Sequence, residues 1–144
     1  MSVGISQAWR QNFLNYIFRA TALPTLPNGL QIALHTGQPA SGRSNEASGG
    51  NYSPVSIATG ALASTFAAAT AANPSVSANS AVISFPTANS TGYSAGAAML
   101  FWAAWHGAST TDLICYGSIP SQIVPAGATP SFAISQLFTQ LSET

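Results

Sequence analysis

The sequence predicts a mainly β protein, a β-sandwich or jelly-roll-like domain carrying one N-terminal α-helix. Three observations lead there. One stretch near the N-terminus has helical apolar spacing. From residue 30 onward, short apolar runs of strand length follow one another. Clusters of Gly, Pro, Asn and Ser separate those runs. A chain of 144 residues fits a single domain over 1–144, with the helix at 6–20 and the sandwich at 30–141.

The helix is read from Trp9, Phe13 and Ile17 at i, i+4 and i+8, flanked by Leu14 and Phe18. Gln11, Asn12, Asn15 and Arg19 lie largely away from that stripe. Ser6 is placed to cap the start, and Pro24 and Pro27 forbid continuation. So aromatic a stripe needs cover, from its own sheet or from a neighbouring subunit.

Large apolar residues alternate over 30–35, the mark of a half-buried strand. A polar loop over 36–53 follows, with a tight turn at Gly49-Gly50, and then a short strand over 54–59. Residues 60–80 are low in complexity. Ser, Thr, Asn and Pro74 interrupt the Ala runs, which predicts a short strand over 63–66 and then loop. A strand over 81–85 ends at Pro86. The run 97–105 is a longer strand with Phe101 and Trp102 on opposite faces; such a strand is central or meets a partner on its second face. A turn over 107–112, a strand over 113–119, a turn after Val124 and a last strand over 132–141 complete the domain. No repeat of 20–50 residues is visible.

Charge is the most unusual bulk property. Only 4% of residues are charged, against about 25% in an ordinary soluble domain. The charged set is Arg10, Arg19, Arg43, Glu46, Asp112 and Glu143, with net charge zero and no lysine. Self-repulsion, which helps keep proteins monomeric, is nearly absent. This is the composition of an assembly component. Three scattered arginines cannot neutralise a run of phosphates, so nucleic acid is excluded as a partner. Membrane attachment is excluded too: no basic patch exists, and the longest apolar run, 97–105, is too short to span. No secretory signal is evident at the N-terminus.

The chemistry of catalysis is thin. Glu46 and Asp112 fall in different loops and Glu143 at the end, so a carboxylate pair requires 46 and 112 to meet in space. His35 and His106 each end a strand and are expected to hydrogen-bond locally rather than bind metal. No Gly-x-Ser-x-Gly elbow or phosphate loop occurs. Cys115, between Ile114 and Tyr116, reads as a buried apolar residue. No catalytic residue, metal or cofactor is expected. Arg43 and Glu46, three apart in a neutral loop, are expected to shape it together with Gly49, Gly50 and Tyr52. Trp9, Phe13, Ile17, Phe101, Trp102 and Trp105 are candidates for an interface with another subunit or a partner protein. An aromatic platform for carbohydrate is the weaker alternative, because these residues sit in periodic elements.

Several segments carry a resemblance: 16–22, 30–36 with Pro39, Asn45-Glu46-Ala47-Ser48-Gly49-Gly50-Asn51-Tyr52, 83–86, 114–117 and the turn 125–127. In these the chain resembles a family of small tailed-phage virion proteins, often labelled tail fibre protein, some of whose members resemble capsid cement (decoration) proteins. Ser53-Pro54 after Tyr52 departs from the family pattern, as does the Ala- and Ser-rich middle. The resemblance implies a non-enzymatic virion protein. The expected role is capsid cement: a homo-oligomer, a homotrimer, bound to the major capsid protein on the outer surface of a head assembled in the host cytoplasm. The alternative is a tail fibre or baseplate adhesin binding a host surface glycan. A long fibre would want a repetitive shaft or coiled coil, and neither is present.

Overall fold

A computed structural model describes residues 3–71 and 74–141. It is mainly β with one N-terminal helix, as the sequence predicts. Five antiparallel strands form the principal sheet in the order β1 (Val3–Ile5), β7 (Leu113–Ile123), β6 (Ala98–His106), β2 (Leu30–His35), β3 (Val55–Ile57). Two small ribbons complete the β structure: β4 (Ser75–Ala78) with β9 (Phe138–Leu141), and β5 (Ile83–Ser84) with β8 (Ser131–Phe132).

The 3.6-residue spacing does form α1 (Gln7–Arg19). Ser6 accepts the N–H of Trp9 at its hydroxyl, 3.3 Å away, and so satisfies one of the first-turn donors. Ala20 closes the helix in the left-handed region at φ 52°. The helix continues directly from β1, an edge strand of three residues that the sequence reading did not find.

β6 is central and apolar on both faces, as expected. Ile32 and Leu34 of β2 oppose Ala104 and Trp102 of β6. With Cys115 they pack against Ile83, Phe85, Tyr93, Phe132 and Leu137, which form the second layer. The other face carries Ala33, Ala103 and Trp105, with Leu113 and Tyr116 against them. Its cover is the chain's own loop, residues 36–46.

Four expectations need correction. Residues 63–66 are no strand: Leu62–Thr65 form a helical turn, α2, in which the Ala-rich run follows its intrinsic preference. The Ser64 and Thr65 hydroxyls bond back to the carbonyl of Ala61. The supposed loop after it contains β4, which lacks the large apolar residues that signal a strand. The strand over 113–119 runs on to Ile123 through Pro120. Pro120 is tolerated because it lies at a register shift, between the pairs Phe101–Ser118 and Met99–Gln122. Finally, 132–141 is two strands, β8 and β9, broken by a turn.

Asn79 accounts for that break. It is buried, and its amide is fully engaged. Nδ2 donates to the carbonyls of Ala81 and Ala133, each at 2.8 Å, and Oδ1 accepts the N–H of Leu137 at 2.9 Å. One side chain thus fixes the ends of both ribbons. Asn79→Leu, of similar size, should cost about 2–4 kcal/mol, because it strands buried carbonyl and amide groups without partners. The check is the midpoint of chemical denaturation; an unchanged midpoint would show that the ribbons hold without this residue.

Candidate functional site

Arg43 organises the covered face of the sheet. Its backbone sits at φ 54°, an uncommon region for a residue with a side chain, following Gly42 at φ 76°. Such a conformation persists only where surrounding contacts over-determine it, and here they do. Nε donates to the carbonyl of Ser109 at 2.9 Å. One terminal nitrogen donates to Gln31 Oε1 at 2.7 Å and to the carbonyl of Gly107 at 3.0 Å. The other reaches Glu46 Oε2 at 3.3 Å. The guanidinium lies 5.2 Å from the centre of the Trp105 ring. Both members of the Arg43–Glu46 pair are largely buried. Arg43 therefore ties the loop to β2 and to the β6–β7 hairpin at once. Gln38 adds a further tie, donating to the Tyr116 hydroxyl at 2.9 Å.

Around this hub the titratable groups are held out of water. Burial raises the Glu46 carboxyl above its ordinary value, against the pull of Arg43. Burial, then the neighbouring Glu46 charge, raises the Tyr52 hydroxyl. His35 is completely buried and stacks on Trp105 with ring centres 6.2 Å apart. Its Nδ1 donates to the carbonyl of Ser44 at 3.0 Å. Nε2 is buried with no partner among the described residues, so a second proton there would be unsatisfied. Burial accordingly lowers its pKa to about 4. Cys115 is buried, and its thiol is pushed up to about 12 by desolvation, so it is inert.

The Gly49-Gly50 turn seats the next segment. Both residues take left-handed φ, and a Cβ on Gly50 would lie 1.8 Å from the carbonyl oxygen of Gly92. The turn directs Tyr52 inward. Its hydroxyl accepts the N–H of Leu34 at 3.0 Å, and its ring packs edge-on to Tyr93 at 5.1 Å.

The six interface candidates are divided by the structure. Trp102 and Trp105 are wholly buried, one on each face of β6, and cannot meet a partner. Phe101 is partly covered by Tyr116, 6.5 Å away. Trp9 is buried at the base of α1, where its indole N–H donates to Asp112 Oδ1 at 2.9 Å. Asp112 Oδ2 accepts from His106 Nδ1 at 2.9 Å. Nothing in the sequence hints at this Trp9–Asp112–His106 chain, which joins residues 103 positions apart. Beyond Trp9 the helix leaves the sheet. Phe13 is 38% exposed, Leu14 56%, Tyr16 53%, Ile17 65% and Phe18 78%. These are five of the eight large apolar side chains exposed among the described residues; the others are Val82, Ile123 and Ile134. So the stripe expected to need cover receives almost none from its own sheet.

The carboxylates are committed separately, Glu46 to Arg43 and Asp112 to Trp9 and His106. Glu143 lies outside the described residues. No group of three or more potential metal ligands occurs among the described residues. A groove of about 340 Å³ opens between β6, β7 and β8; Met99, Ile119, Pro120 and Phe132 line it, with no charged side chain. The loop tyrosines 52 and 93 are turned into the core, and Tyr93 donates its hydroxyl to the carbonyl of Pro86. Neither offers a ring to a sugar.

The described residues thus form a nearly uncharged domain with no assembled catalytic group and one apolar helix left uncovered. The chain matches the family model described as podophage GP4 fiber I protein gp80 over residues 4–140, and it belongs to that family. It is thus a phage virion protein of the fibre type, with a structural rather than enzymatic role. None of the curated proteins matches it.

Two predictions follow from the hub. Arg43→Ala should cost about 3–5 kcal/mol, because it leaves Glu46 buried without its partner. Arg43→Lys should recover little of this, since one ammonium cannot reach carbonyls on both sides while stacking on Trp105. Urea denaturation of both variants checks the pair, and full rescue by Lys would contradict the forked geometry. The second concerns pH. His35 is neutral in the fold and has an ordinary value near 6.5 when unfolded. The unfolded chain therefore binds the extra proton first as pH falls. Stability is fully present above about pH 6.5 and declines toward pH 4, by on the order of 3 kcal/mol. Glu46 has the opposite sign: its raised pKa means acidification relieves a burial penalty near and above pH 4.5, offsetting part of the loss. An imidazole titration by NMR should place His35 well below 5.5; a midpoint near 6.5 would show that the ring is solvated.

Proposed function

We propose that the chain is a compact, non-enzymatic subunit of a phage tail fibre, incorporated through its exposed N-terminal helix. The observation that carries this is α1: five large apolar side chains stand in solvent on a domain whose sheet is already closed on both faces. That much apolar surface on a small domain marks a site of protein association. The family description, a podophage fiber protein, favours the tail as the place of incorporation. Low charge supports the same reading, because nothing in the chain resists close packing of copies. The loop tyrosines face inward and lend no support to the adhesin alternative.

Capsid cement on the major capsid protein is the second reading. The absence of a shaft or coiled coil favours it, and it would use the same helix to bind the assembled lattice and stabilise it by mass action. Locating the protein in intact particles separates the two. A cryo-electron microscopy map, with copy number from quantitative mass spectrometry, should show a small number of copies on the tail. Hundreds of copies over the head would establish the cement role instead.

A further inference from the structure

We infer that α1 is the contact between two copies of this chain, and that the two helices pair antiparallel about a centre at Leu14. The inference rests on the assembled-subunit reading above, but not on where in the particle the assembly lies. Trp9 holds one side of the helix to its own sheet through Asp112. At 3.6 residues per turn, Leu14, Ile17 and Phe18 lie roughly 80–180° round from Trp9. They are the three most exposed large apolar residues of the helix. Arg10 completes that stripe at i, i+4, i+7 and i+8, the spacing of a helix-packing face.

Area says what such a face can do. Leu14, Ile17 and Phe18, with Phe13 at the edge of the stripe, together present on the order of 450 Å² of surface at the stated exposures. A stable interface takes about 800 Å² from each partner. One helix therefore supplies a little over half of what a two-copy contact needs, and the exposed segment that follows it, residues 20–22 and 24–25, can add to it.

Charge sets the direction. Arg10 sits in the apolar stripe, and among the described residues it forms no ion pair. α1 itself carries no acidic residue. A parallel arrangement would place Arg10 against Arg10 in a dry contact. In an antiparallel arrangement centred on Leu14, Arg10 meets the ring of Phe18 on the second copy. The two Arg10 side chains then stand about 12 Å apart along the axis, beyond the screening length of about 8–10 Å. A guanidinium over an aromatic face is favourable where two guanidinium groups are not. Opposed helix dipoles favour the same direction.

The test uses the full-length protein. Sedimentation velocity at micromolar concentration should give the mass of two chains. The double variant Ile17→Asp, Phe18→Asp should sediment as one chain, with affinity lowered at least 100-fold. Its thermal unfolding, measured under conditions where both proteins are dissociated, should be unchanged, because both side chains are exposed in the subunit. Single cysteines in a Cys115→Ala background give the direction. Leu14→Cys should form a disulfide-linked pair on mild oxidation, whereas Ile17→Cys should not. Equal cross-linking at both positions would mean a parallel bundle and would overturn the proposed geometry. A wild-type chain that sediments as a monomer, or a variant that keeps the two-chain mass, would overturn the contact itself. If α1 of a monomeric wild type became protected only in intact particles, its occupant would be a different virion protein. Locating copies on head or tail is a separate measurement, so the two readings fail separately.

Discussion

The stack of Arg43 on Trp105 is the contact on which the rest of the subunit depends. β6 is apolar on both faces, so the principal sheet has two faces to cover. One is covered conventionally, by the ribbons that carry Ile83, Phe85 and Phe132. The other is covered by a polar loop, which has little apolar surface to offer. A single cation solves this by lying over the indole and directing its donors to Gln31, Gly107, Ser109 and Glu46. A neutral loop of Gly, Ser and Asn becomes a lid because one residue in it can stack and donate in several directions at once. His35 and Glu46, drawn under that lid, are desolvated as a result.

Closing both faces within one chain changes what the remaining apolar surface means. Had the face bearing Trp105 been open, β6 would be the natural place for a partner, and the sheet would be the assembly surface. With it shut, α1 stands as the largest uncovered apolar element among the described residues. The helix is not loosely attached, because Trp9 and Asp112 fix its base. It is presented rather than dangling, which lowers the ordering cost of any contact made on it.

The parts legible in the sequence are those whose signal is local. The 3.6-residue spacing of Trp9, Phe13 and Ile17 found α1 because a helix needs only its own periodicity. The length and two-sided apolarity of 97–105 identified a central strand for the same reason. The ion pair of Arg43 with Glu46 was legible at a separation of three. What failed was non-local. Arg43 reaches residues 64 and 66 positions away, and Asn79 fixes strands more than 50 away. No spacing records such partners. The stretch 60–80 failed for another reason: small residues serve a helical turn and a ribbon strand equally well, and tertiary pairing with β9 decided. The interface residues show a third limit. An apolar stripe looks the same whether it faces its own core or a neighbour, so Trp102 and Trp105 were indistinguishable from Ile17 and Phe18 until burial separated them.

The join between β1 and α1 also gives the subunit a mechanical character. β1 contributes only three residues to the sheet, paired with β7 at Gly117, Tyr116 and Cys115. On its own, so short an edge strand would peel away when the helix is pulled. Trp9 supplies a second attachment one turn into the helix, on Asp112, which immediately precedes β7 at the end where Ile5 pairs with Cys115. Tension on α1 therefore reaches β7 by two routes at the Ile5–Cys115 end, through the backbone of β1 and through the Trp9 indole. The strand pair can open from that end only once the indole bond has also given way, so the short strand is shielded by a side chain that is no part of it.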